Sequence, residues 1–135
     1  MEYLIGVVLA LTVAGFATIV GFDRERAFYS TVLIVVASYY VLFAAMGASG
    51  RTVIIESSLA LPFLVAALLG FKKSSWFLVA GLVGHGVFDF FFHHAIVKNP
   101  GMPRWWPGFC GAYDVIAGAW LAVRLMMSSR IPAAK

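Results

Sequence analysis

Apolar residues run almost unbroken from Tyr3 to Gly21, and similar runs return at about 27–47, 52–70, 74–97 and 106–127. At about 1.5 Å of rise per residue, each is long enough to cross roughly 30 Å of hydrocarbon as a helix. The interruptions are short: Asp23-Arg24-Glu25-Arg26, the residues up to Arg51, the pair Lys72-Lys73, and the stretch from Lys98 to Arg104. Pro100 and Pro103 bar that last stretch from helix, whereas Pro107 suits a first helical turn, where its missing N–H costs nothing. The pattern therefore predicts an all-α fold, a polytopic transmembrane helical bundle of about five spans forming one domain over 1–135. Pro62 lies inside the third run, which predicts a bend there and a Ser58 carbonyl without its helical donor. The first run follows Glu2 rather than a basic segment and has full spanning length, so it is expected to be retained rather than cleaved as a signal peptide.

Composition agrees with the pattern. Of 135 residues, 62% are hydrophobic and 12% charged, against about a quarter charged in soluble domains. The net charge of +4 does not point to nucleic acid, because the bases sit dispersed at helix ends; anionic membrane lipids are the simpler partner. Cys110 is the only cysteine, which excludes an internal disulfide and a thiolate cluster. Seven bases (Arg24, Arg26, Lys72, Lys73, Arg124, Arg130, Lys135) fall on one side of a five-span topology and three (Arg51, Lys98, Arg104) on the other. The positive-inside rule then predicts a plasma (inner) membrane protein with its N-terminus outside and its C-terminus cytoplasmic. Trp105 and Trp106 fall at the outer interface and Trp76 near the inner one, as indoles prefer.

With that topology, position becomes depth. His93 and His94 lie about one turn from the outer end of the fourth span, Asp89 about two and His85 about three. Glu56 and Asp114, on the third and fifth spans, reach nearly the levels of His93 and Asp89. At about 100° per residue His85, Asp89 and His93 share one stripe, and His94 points nearly the opposite way. A charge at mid-bilayer costs roughly 2.5–3.5 kcal/mol even on lenient scales, so Glu56, Asp89 and Asp114 are expected to converge on the bundle interior. No Lys or Arg lies at their depth. Protons, histidines or a bound cation must neutralise them.

Imidazole and carboxylate one turn apart suit a divalent ion, zinc first, with manganese or iron as alternatives. On that reading His85, Asp89 and His93 are the metal ligands and Glu56 or Asp114 the base for bound water. The same residues also fit a proton or ion path, or a polar knot that fixes helix packing. Cys110 is either a soft ligand or a small buried hydrophobe. Ser57 and Ser58 beside Glu56 mimic a nucleophile and base but more often bond backbone carbonyls. Ser38, Tyr39 and Tyr40 are candidate hydrogen-bond donors to a substrate. Ala80-x3-Gly84 and Gly118-x3-Ala122 are small-residue pairs, and Gly81, Gly84 and Gly86 predict close helix approach at His85. Arg124 is expected to snorkel to headgroups, Asp23 to Arg26 to form a solvated loop, and the loop before Pro107 to act as a lid or an anchor.

Gly84-His85-Gly86-Val87-Phe88-Asp89 with His93-His94, followed by Pro103-Arg104-Trp105-Trp106-Pro107-Gly108-Phe109-Cys110 and Tyr113-Asp114, resembles a family of small bacterial multi-pass inner-membrane proteins. The resemblance covers most of the chain and implies its fold and membrane, but brings no activity. In chemistry alone, the intramembrane histidines and aspartates are similar to those of alkaline ceramidases, zinc hydrolases with more spans. Three functions follow: a metal-dependent lipid hydrolase, a proton- or cation-coupled transporter or channel subunit built as a homo-oligomer, and an accessory subunit of a larger membrane complex.

Overall fold

A computed structural model describes residues 1–129, so Arg130 and Lys135 of the basic tally lie outside the described residues. It is all-helical: α1 (Glu2–Val20), α2 (Arg26–Gly47), α3 (Gly50–Lys72), α4 (Trp76–Phe91), the single turn α5 (His93–Ile96) and α6 (Trp106–Ser128). Four of these, α1, α2, α3 and α6, are long and apolar enough to span a membrane, while α4 has 16 residues. Their outer faces carry Leu4, Phe16, Ile19, Met46, Ile54 and Phe91, all exposed to the surroundings. A multi-pass membrane protein disposes of such residues into lipid.

The fourth run is not one helix over 74–97. Phe92 breaks it (φ −116°, ψ −35°), α5 follows for four residues, and Val97 is already extended. The cause is tertiary: His93 and Asn99 both bond Glu56 on α3, and a continuous helix would carry them past it. Pro62, by contrast, sits within an uninterrupted α3 whose N-cap Ser49 accepts from the Thr52 N–H at 3.3 Å.

The helices pack in the order α1, α6, α4, α3, α2, so the sequence neighbours α1 and α2 stand at the two ends of the arc. They are joined by Gly21, in the left-handed region at φ 90°, and by a 3-10 turn over Phe22–Arg24. This turn is not simply solvated. The Asp23 side chain is 2% exposed and accepts from the Thr18 hydroxyl at 2.6 Å, while the Arg124 guanidinium stands 3.4 Å away. Arg124 thus ties α6 to the α1–α2 turn.

Glycine sets the α4–α6 crossing, at Gly86 and Gly111 rather than at Gly84. A Cβ on Gly86 would meet the Gly111 carbonyl at 2.7 Å, and one on Gly111 would meet the Gly86 carbonyl at 3.1 Å; Gly84 faces open space. Those two glycines flank His85 and Cys110 in sequence, so the backbones come closest where the polar side chains face each other. Beyond them, toward the α1–α2 turn, the bundle is filled by Leu33, Leu78, Leu82, Ala117 and Leu121.

Candidate metal centre

Glu56, His85, Asp89, His93 and Asp114 are all buried, each at most 2% exposed. The five do not form one cluster. They divide into two groups that differ in how completely their polar atoms are satisfied.

The first group joins α4 to α6. His85 and Asp89 lie one turn apart on α4, and Cys110 and Asp114 one turn apart on α6, so each helix offers a matched i, i+4 pair. His85 Nδ1 donates to Asp114 Oδ2 at 2.6 Å and lies 3.5 Å from Asp89 Oδ2. The Cys110 thiol donates to the same Asp114 oxygen at 3.6 Å. One ligand-type atom from each of the four residues falls within 4.8 Å of every other. Bonds of 2.0–2.3 Å to a tetrahedral zinc put ligand atoms about 3.3–3.8 Å apart. The 3.5 and 3.6 Å separations already have that spacing; the 2.6 Å contact is the hydrogen bond whose proton a metal would displace. The donor set fits a divalent ion.

The carboxylates in this group are underfilled. Both oxygens of Asp89 and Oδ1 of Asp114 are buried without a hydrogen-bond partner among the described residues. A buried carboxylate oxygen left without a donor is costly, and the cost falls when a cation sits against it.

The second group joins α5 and its following loop to α3. His93 Nε2 donates to both Glu56 oxygens, at 3.0 and 3.2 Å. Asn99 Nδ2 donates to Glu56 Oε1 at 2.9 Å and to the Tyr40 carbonyl at 3.1 Å, and Asn99 Oδ1 accepts from the Gly101 N–H at 3.2 Å. Here each carboxylate oxygen has a donor, and His93 Nδ1 and the hydroxyl of the adjacent Tyr40 are the buried polar atoms without a partner among the described residues. Tyr40 stands between the groups, its ring centroid 5.7 Å from that of His85 and 4.5 Å from that of His93.

The stripe on the fourth span thus delivers His85 and Asp89 to the four-residue cluster, and the break at Phe92 takes His93 to Glu56 instead. Cys110 stands inside the cluster. Asp114 belongs with the ligand-type atoms, and Glu56 is engaged by two donors. His94 is exposed on the opposite side. Ser58 turns outward and donates to the Ile54 carbonyl at 2.8 Å, and Ser38 does the same to Val35 at 2.8 Å, so neither meets the buried groups. Asn99 carries no signal in the sequence beyond that of a polar amide in a helix-breaking stretch. Tyr39 lines an apolar hollow of about 770 Å³ between α1, α2 and α6, together with Leu9, Val13, Val32, Phe109 and Cys110. Cys110 is therefore shared by the hollow and the polar cluster. No family model, no curated protein and no solved structure matches this chain.

Proposed function

We propose that this protein is a metal-dependent membrane enzyme that hydrolyses a lipid, with its ion held within the cluster of His85, Asp89, Cys110 and Asp114. The observation that carries the reading is the cluster of one imidazole, one thiol and two carboxylates with ligand-type atoms within 4.8 Å of one another, three of whose carboxylate oxygens lack a hydrogen-bond partner among the described residues. A thiolate in the donor set favours zinc over manganese, which prefers oxygen ligands. A bound zinc would supply a water in the nucleophilic range at neutral pH, which needs one open coordination position, so three of these four residues would hold the ion and the fourth would stand beside that water.

His93 is the suitable proton acceptor. Glu56 holds its Nε2 proton, which leaves Nδ1 with a lone pair, the arrangement by which a carboxylate fixes the tautomer of a working base. Glu56 then acts as a positioning residue and Asp114 as a ligand. The hollow lined by Cys110 supplies an apolar approach for an acyl chain from the surrounding lipid. A transport path has less support, because the leucine-filled layer closes the bundle beyond His85.

The test is elemental analysis of gently purified, chelator-free protein beside Asp89→Asn and Asp114→Asn. About one zinc per chain in the parent, lost in both folded variants, is the expected result, and it should accompany release of fatty acid from a lipid panel. Folded protein without stoichiometric metal in any preparation would sink the proposal.

A further inference from the structure

A second hollow, of about 670 Å³, opens at the end of the bundle where the loop between Val97 and Arg104 lies. Its polar wall consists of Lys98, Arg104, His94, Ser49, Thr52 and Asn99, and no Asp or Glu lines it. Neither Lys98 nor Arg104 has an ion-pair partner among the described residues. Two permanent cations facing one concave space are kept there only if their backbone is held. It is. Asn99 fastens the loop to Glu56 and to the Tyr40 carbonyl, the Met102 N–H donates to the Asn99 carbonyl at 3.1 Å, and Pro100 and Pro103 stiffen the turns. Gly101 packs against the Phe43 carbonyl so closely that a side chain there would collide with it. The cations are therefore presented by a prefolded loop rather than gathered by a ligand at an entropic cost.

We infer that this hollow binds a phosphate group. Guanidinium, ammonium and imidazole donors beside two hydroxyls match the several acceptor oxygens and double charge of a phosphate monoester, and the missing acidic wall excludes cations. The same loop runs directly into Trp105 and Trp106, whose indoles suit the headgroup level of a bilayer, so the phosphate of a lipid headgroup can reach the hollow as readily as a soluble phosphate. Asn99 forms part of the wall and also bonds Glu56, so an occupied hollow lies one side chain from the buried group. The inference rests on this wall and does not need the metal.

The experiment uses the full chain, treated with chelator, in phosphatidylcholine nanodiscs doped with phosphatidic acid. Native mass spectrometry measures retained lipid, and inorganic phosphate is titrated as competitor. Phosphatidic acid is expected to be retained several-fold above its bulk fraction. In the Lys98→Gln, Arg104→Gln double variant, whose changes are both at exposed positions, retention should fall about tenfold. Lys72→Gln with Lys73→Gln, at the other end of the bundle, should leave it unchanged. Displacement by millimolar phosphate would identify the phosphate itself as the recognised unit; retention against phosphate would identify the lipid headgroup. Retention equal to the bulk fraction with no saturable phosphate binding would overturn the inference, as would equal losses in the two double variants.

Discussion

The two histidine–carboxylate groups are built from the same chemistry and finished differently. Around Glu56 every carboxylate oxygen has a donor, supplied by His93 and Asn99. Around His85 three carboxylate oxygens have none among the described residues. A saturated buried pair resists change and fixes geometry; an unsaturated one of the same burial retains affinity for whatever can complete it. On the proposed reading the contrast gives positioning to the α3–α5 group and ligand binding to the α4–α6 group, whereas the sequence divides the same five residues into three ligands on the fourth span and a base on the third or fifth.

The hardest way to break that contrast is Glu56→Ala. It strands the His93 donor in the interior, and loss of one partner of a buried pair costs about 3–5 kcal/mol. Thermal unfolding in detergent should show it, with the metal retained by the fraction still folded. Unaltered stability together with lost metal would exchange the two roles. Next comes Gly111→Val, which forces α6 away from the Gly86 carbonyl and from Phe90. Overpacking of this kind costs about 1–3 kcal/mol, and because His85 and Asp114 ride on the separated helices, metal affinity should fall with stability.

Cys110→Ser sharpens the comparison more gently. The hydroxyl is a poorer zinc ligand than the thiolate, so zinc affinity measured by competition with a chromophoric chelator should drop about tenfold, with manganese affected less. No change in either metal would remove Cys110 from the ligand set. The smallest effect is expected for His94→Gln, which should leave metal content and unfolding temperature as they were, since this side chain faces outward.

The spans were legible because length and apolarity decide them: α1, α2, α3 and α6 begin and end within about two residues of the expected runs. Burial of the three carboxylates was legible for the same reason, since lipid rejects them. Their partition was not. Helical periodicity extrapolates His93 onto the His85–Asp89 stripe, and only contacts with Glu56, remote in sequence, reveal that the helix stops at Phe92 first. Asn99 was hidden similarly, because a turn amide and a buried amide look alike until the acceptor is known. The glycines were partly readable: the thin stretch of α4 was visible, but which glycine touched a neighbour depended on the facing residue, Gly111.

The layer of Leu33, Leu78, Leu82, Ala117 and Leu121 begins about one helical turn beyond His85 and Asp114, at Leu82 and Ala117, and runs to about two turns at Leu78 and Leu121. It closes the polar interior on the side of the α1–α2 turn. On the proposed reading, an ion seated beside His85 would find no way out through that end of the bundle, whichever compartment it faces.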